Sequence, residues 1–367
     1  MASAIVAGAG VFGTALADRL AGAGWEVTLV DRFGPGDPRA ESGGETRLIR
    51  CAHGPDELYA RSARRALKLW RELDPSVLVE CGMTWFARGE APWEAASERV
   101  MRGLGIPCER LEPGEAGRLF PSLQAADLAY VVFEPNAGVL RAGDATKALA
   151  RRSAERGCRL RLGSARPDGG ALVLDGERLE ADVVIWACGA WLASLFPGLV
   201  RLRVTCQDVV LFQAPPEWRS PAVPAWLDFE TTFYGHGLIE PHGFKVAADR
   251  LGESLDPDAR PREASGESVR LARDYLEHRF PALAGTPVAS TTVCHYSLTA
   301  DSSFIFARHP EHPSVWLLGG GSGHGFKHGP ALAEHAEAVI SGRAEPEPRF
   351  ALGERAPSHS LRSAAVT

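Results

Sequence analysis

The sequence predicts an α/β fold in which a parallel sheet is interrupted by an inserted α+β domain. Three observations carry that expectation. A short apolar run near the start ends in a glycine turn, a helical pattern follows, and a second apolar run completes a βαβ unit. A strand feeding a glycine-rich turn recurs near the other end. Between the two, alternating strand-like segments and proline-rich turns replace the βαβ pattern.

In order, Ala4-Ile5-Val6 is the first strand and Gly8-Ala9-Gly10-Val11-Phe12-Gly13 the turn, with a helix through Leu16 and Leu20 to Gly22 and Gly24. Glu26 to Val30 is the second strand, with Asp31 at its carboxyl end. The uncharged stretch from Val183 to Val200 is interrupted by Gly189, Ser194 and Pro197-Gly198, so it reads as a buried strand, a turn and a short helix rather than a membrane span. From about 205 to 290, Val209 to Phe212 and Phe244 to Ala247 read as strands and Ser268 to Arg279 as an amphipathic helix. Val315 to Leu318 is a strand running into Gly319 to Gly329, and Pro330 opens a helix through Ala338. The polar tail after Ala351 is expected to be poorly ordered.

Composition narrows the function. The chain has 367 residues, 45% hydrophobic and 23% charged, enough for two or three domains and a core that needs no staples. A net charge of −6 without a run of either sign excludes a phosphate-backbone stripe, so no nucleic-acid partner is expected. Seven scattered cysteines with no C-x-x-C pair are neither a disulfide framework nor a zinc site. No basic segment opens a signal peptide, and the expected location is cytoplasmic, with no membrane partner.

The motifs point to a nucleotide. Gly8-x-Gly10-x-x-Gly13 between strand and helix lets the backbone approach a pyrophosphate at the positive end of a helix dipole. Asp31, 21 residues past Gly10, is placed to accept from a ribose hydroxyl. These residues do not separate NAD from FAD. The run Gly319 to Gly329 offers amides that can face an anionic ring. Read alone, Cys294 is a small buried hydrophobe, Lys245 a strand lysine in a dry context, and Arg47 and Arg50 a surface basic patch that shares one helix face if the segment is helical. His309 and His312 read as loop residues, and no metal is expected.

Cys294-His295-Tyr296-Ser297-Leu298-Thr299-Ala300-Asp301, Phe304-Ile305, His309-Pro310-Glu311-His312 and Gly323-His324-Gly325-Phe326-Lys327 resemble the carboxyl-terminal region of the monomeric sarcosine oxidase and N-methyl amino acid oxidase family, FAD-dependent amine oxidases of the D-amino acid oxidase superfamily. Gly8 to Gly13, Glu45 to Arg50, Phe133 to Leu140, Gly189-Ala190-Trp191 and Tyr234 to Lys245 follow the family's order, so the resemblance covers nearly the whole chain. It implies a Rossmann-like FAD-binding domain (1–80, 138–204 and 288–350), an inserted α+β substrate domain (81–137 and 205–287) and a flexible tail, 351–367.

The resemblance also implies roles. Cys294 falls on the cysteine joined to the flavin 8α carbon, and Lys245 on the lysine that speeds the reaction of reduced flavin with oxygen. Arg50 and Lys327 fall on the pair that holds the substrate carboxylate, Arg47 on an arginine beside the flavin, and Tyr234 and Tyr296 on aromatic walls of the substrate cavity. Gly8, Gly10, Val11, Phe12, Gly13, Asp31, Arg32, Thr46, Cys188, Gly189, Trp191, Gly321, Gly323, His324, Gly325 and Phe326 fall on the family's cofactor surface. Two positions depart from the pattern: Ser42-Gly43 stands where sarcosine-specific members carry a His pair, and Asp249 where they carry a histidine. An acid there favours a more polar or cationic substrate. The implied activity is oxidation of a secondary, cyclic or N-methyl α-amino acid to an imine with hydrogen peroxide, by a monomer. A flavin-dependent dehydrogenase with another acceptor and a non-catalytic flavin-binding protein are the alternatives.

Overall fold

The computed structural model describes residues 1–250, 252–259 and 263–358. The opening βαβ unit forms as expected: β1 (Ser3–Ala7), α1 (Val11–Gly22) and β2 (Glu26–Asp31), with β1 and β2 parallel. They belong to a six-stranded sheet of order Ile305–Arg308, Val315–Gly319, Val183–Trp186, β1, β2, Arg159–Leu162. Every neighbouring pair is parallel except the first. The central strands are uniformly apolar because both faces are covered. One face packs on α1 and the helix Gly329–Ile340, the other on the Ala165–Leu179 meander and the Leu192–Val200 segment.

The second layer is an eight-stranded, mostly antiparallel sheet of order Val288–Leu298, Arg203–Phe212, Gly243–Ala248, Phe233–Ile239, Ala225–Asp228, Met83–Ala87, Tyr130–Glu134, Glu109–Leu111. The helix Gly266–Arg279 covers one face, burying Ala272, Tyr275 and Leu276 against Trp226, Phe233 and Phe244. Ser265 starts it by accepting from the Ser268 amide, two residues before the apolar periodicity alone would begin it. The expected boundary at 288 falls at the first residue of a strand that pairs with Arg203–Phe212 through Leu298.

The segment carrying Arg47 and Arg50 is not helical. Thr46–Ile49 is a strand, β3, paired antiparallel with Gly138–Arg141, which also pairs with Leu78–Val79. Its β-branched and aliphatic residues suit a ladder, and the cross-strand partner decides the matter. Of the expected tail, Arg355 is tied down, donating to Asp301 Oδ1 at 3.0 Å and to the Ser303 and Phe304 carbonyls at 2.8 and 2.9 Å. Residues 359–367 lie outside the described residues. Among the described residues no helix is long and apolar enough to cross a membrane.

Candidate functional site

A long groove runs over the carboxyl ends of β1, β2 and Val183–Trp186 and borders a second cavity beneath the eight-stranded sheet. Arg47, Tyr296, Gly323 and Phe326 line both, so the two adjoin across a common wall. Gly8, Gly10, Phe12, Asp31 and Arg32 line one side of the groove, and Cys188, Gly189, Trp191, Gly321 and Gly325 the other.

The groove is a cradle built by missing side chains. Gly8 sits at φ +108°, and a Cβ there would overlap the Ala187 carbonyl. Gly13 serves packing instead of the groove surface, because a Cβ would run into the Gly8 carbonyl. Gly10 faces Ser42, whose hydroxyl accepts from the Val11 amide at 2.8 Å and caps the start of α1. Asp31 accepts from the amides of Ala9 at 2.6 Å, Phe33 at 2.7 Å and Gly34 at 2.6 Å, so it shapes the turn and still lines the groove. Arg32 pairs with Asp258 at 2.9 Å on the exposed rim. In the glycine-rich run the amides of Ser322, His324 and Gly325 are already used, donating to the carbonyls of Ser297 and Gly321. A Cβ on Gly325 would press on the Phe12 ring. A narrow, glycine-walled groove at a helix start, with an acid at the second strand end, fits an adenine dinucleotide.

Missing from the sequence reading is Glu41. It lines the groove half-buried, accepts from the Ser297 amide at 2.7 Å, and desolvation pushes its carboxyl above the usual range. No spacing in the chain pairs residue 41 with residue 297.

The second cavity gathers the expected chemistry. Period-two alternation puts Cys294 and Tyr296 on one face of their strand, and Lys245 and Asp249 on one face of theirs and just beyond it. Arg50 lies just past β3 and Lys327 just before the helix Gly329–Ile340; both line the cavity with His324. The Tyr234 and Tyr296 hydroxyls are 3.3 Å apart, and burial first, then Tyr296, keeps the Tyr234 phenol protonated. Phe229 closes one side, its ring stacked on Trp93 at 4.2 Å.

The cations are held in distinct ways. Arg47 donates to the carbonyls of Thr46, Glu41 and Gly43 at 2.7, 2.8 and 3.0 Å and approaches Cys294 Sγ at 3.5 Å. Lys245 Nζ lies 3.5 Å from both the carbonyl and the hydroxyl of Thr46, over the Tyr234 ring. Burial and then Arg47 push the Lys245 ammonium down to about 8. Arg50, buried but facing Glu134 and Asp249, is pushed down to about 10 and so stays charged near neutrality. Burial, reinforced by Arg50, drives Lys327 well below its ordinary value. Its Nζ donates to the His324 carbonyl at 2.9 Å.

Thr46, expected on the cofactor surface, instead connects Lys245 to a buried histidine. His236 Nδ1 donates to the Gly237 carbonyl at 2.7 Å, leaving Nε2 to accept from the Thr46 hydroxyl at 2.9 Å. Burial and then Lys245 push the His236 ring down to about 3. A folded-state value below the unfolded 6.5 means this group stabilises the fold above pH 6.5 and loses that contribution as pH falls from 6.5 toward 3. Urea titrations of the protein and of His236→Gln, which keeps an acceptor for Thr46, should therefore converge with acidification. The stability gap is expected to shrink by about 1.4 kcal/mol per pH unit over that window. A gap that is constant with pH would show that His236 takes up its proton as readily in the fold as in the unfolded chain.

Among the described residues, three buried histidines, His53, His324 and His328, bring one ring nitrogen each to within 4.8 Å of one another, the arrangement closest to a metal ligand set. His309 and His312, the pair weighed from the sequence, lie with tilted rings 4.8 Å apart, His309 also against Phe196 and its Nδ1 accepting from the Glu311 amide.

The comparisons agree with this geometry. Residues 3–338 match the family described as FAD dependent oxidoreductase. The chain is 29% identical over 363 residues to monomeric sarcosine oxidase of Bacillus sp. (strain B-0618), covering 93% of each. It is 26% identical over 348 residues to N-methyl-L-tryptophan oxidase of Salmonella arizonae, covering 90% of this chain and 92% of the relative. In fold it is similar to L-proline dehydrogenase from P. horikoshii, with a TM-score of 0.81 at 22% identity over 95% of both chains. Iminodiacetate oxidase from Chelativorans sp. BNC1 superposes with a TM-score of 0.78 at 23% identity, over 95% and 98%. With a dinucleotide cradle adjoining a cation-lined cavity and a family match spanning both, the chain belongs to the FAD dependent oxidoreductase family.

Proposed function

We propose that the protein is an oxidase of a secondary, cyclic or N-methyl α-amino acid that yields an imine and hydrogen peroxide. The observation carrying this reading is the convergence of Arg50 and Lys327 in a cavity that shares its wall with the cofactor groove and also holds Lys245. Two of the relatives are named for the oxidation of N-methyl amino acids, sarcosine and N-methyl-L-tryptophan.

Bound FAD supplies the acceptor for a hydride from the carbon bonded to nitrogen. The chain does the rest. Arg50 and Lys327 grip the carboxylate, which fixes the neighbouring C–H in one orientation. The amine must enter neutral, since only then is its lone pair available. Tyr234, held protonated, can donate a hydrogen bond inside the cavity. Lys245 holds positive charge where oxygen gains negative charge. Segments 1–80, 138–204 and 288–350 serve the cofactor, and 81–137 and 205–287 the substrate. The chain works as a monomer.

We assign the flavin tether to Cys294, whose Sγ faces the cavity beside Arg47 and Gly44. Precipitation in acid should leave the yellow colour in the protein pellet, and Cys294→Ser should release it to the supernatant. Colour released from both would remove the tether. A peroxide-coupled screen across N-methyl, cyclic and aromatic amino acids tests the activity itself. Substrates that bleach the flavin under nitrogen but yield no peroxide in air would assign a dehydrogenase instead.

A further inference from the structure

The two cations of the carboxylate clamp sit on separate segments. Arg50 leads into Cys51-Ala52-His53, and Lys327 is flanked by His324 and His328. Each segment is anchored on its own side. The Cys51 and Ala52 amides donate to Glu134 at 2.7 and 3.2 Å, and Trp70 Nε1 donates to the Lys327 carbonyl at 2.8 Å. Neither of these anchors ties one segment to the other.

A hydrogen bond between two rings joins them, beside the edge-on His53–His324 contact. His53 Nδ1 lies 2.9 Å from the Cys51 carbonyl, which can only accept, so Nδ1 carries the proton and Nε2 is an acceptor. His328 Nε2, 3.3 Å away, must then be the donor, and His328 Nδ1 accepts from the Ser62 hydroxyl at 2.9 Å. The donors and acceptors run without conflict from Ser62 on the helix Glu57–Leu73, through both rings, to the residue next to Arg50. Both rings are fully buried, with the Tyr59 ring centroid 5.9 Å from His53 and 5.4 Å from His328.

We propose that the His328–His53 hydrogen bond is a positioning element that sets the spacing of Arg50 and Lys327 and hence the grip on the substrate carboxylate. The inference rests on the reading of those cations as a carboxylate clamp. The same nitrogens resemble a metal ligand set, but a divalent ion there would add charge beside Arg50 and Lys327, which already act on His53. Two neutral rings sharing one proton avoid that repulsion.

His53→Phe and His328→Phe keep a ring and remove the bond; His53→Gln keeps an acceptor. Acetate binding, followed by its perturbation of the flavin absorbance, reads the clamp without turnover. The dissociation constant should rise about tenfold in each Phe variant, no further in the double variant, and return to within about twofold of the parent in His53→Gln. KM for an N-methyl amino acid should rise in parallel, with kcat changed much less. If the parent binds acetate and the Phe variants bind it equally well, or their effects add, the positioning role is overturned while the clamp stands. A parent that does not perturb its flavin with acetate overturns both. One equivalent of transition metal in the purified protein, lost in His53→Phe, overturns the bridge in favour of a metal site.

Discussion

Lys245→Met should slow the reaction of the reduced protein with oxygen by about 10²–10³-fold, the range found when a single preorganised charge is removed from a site of developing negative charge. Stopped-flow mixing of the anaerobically reduced protein with oxygenated buffer reads that step alone. Reduction by substrate should change far less, because the carboxylate is assigned to Arg50 and Lys327 while Lys245 is held by Thr46. The unsubstituted protein offers an internal check. With its ammonium pushed down to about 8 by burial and by Arg47, Lys245 is charged below that pH and neutral above it. The oxygen reaction should therefore slow as pH rises through about 8, and the Met variant should lose that limb. A variant as fast as the parent, or a pH limb that survives the substitution, would take oxygen activation away from Lys245. Thr46→Val is the milder companion. It removes the hydroxyl between Lys245 and His236 while leaving the Thr46 carbonyl contact in place.

The cradle was legible in the chain because it is written locally. A strand, Gly8 to Gly13 and Asp31 lie within about thirty residues, and Gly8 and Gly13 each answer to a backbone approach that any side chain would block. The cavity was not local. Cys294 and Lys245 sit on strands of one sheet, Arg50 follows a strand of another and Lys327 precedes a helix, so the four meet only through the tertiary fold and no periodicity places them together; only the family resemblance did. Where local reasoning stood alone it left the matter open. Arg47 and Arg50 would share a face only if their segment were helical, and pairing with Gly138–Arg141 makes it a strand, a long-range partner that the segment's own composition does not name. The same limit hid His236, His53 and His328. Each is a lone histidine in sequence, and each has its role set by residues between 190 and 275 positions away. Glu41, held against Ser297, is hidden for the same reason.

Replacing the clamp residues one at a time should separate two functions that Arg50 combines. Arg50→Gln removes a charged donor to the carboxylate, which costs about 1.5–3 kcal/mol of binding, or roughly 10- to 150-fold in KM. It also withdraws the positive neighbour of Glu134, which is buried and accepts from Cys51, Ala52 and the Trp85 indole at 2.8 Å. Withdrawing that charge leaves the buried Glu134 carboxyl with neutral donors alone, so this variant should also melt earlier and bind less flavin. Lys327→Gln should raise KM by a similar factor with a smaller loss of stability, because its Nζ donates to the His324 carbonyl and has no buried acid as direct partner. The two lysine states add a signature. Burial and Arg50 hold the free Lys327 well below its ordinary value, so an arriving carboxylate is gripped best when it brings a proton to Nζ. Carboxylate affinity should accordingly fall as pH rises, and Lys327→Gln should flatten that dependence while Arg50→Gln should not. Equal stability losses in the two variants would mean that Glu134 is neutral in the fold. A pH dependence untouched in Lys327→Gln would mean that Nζ carries no proton to the carboxylate, leaving Arg50 to hold it alone.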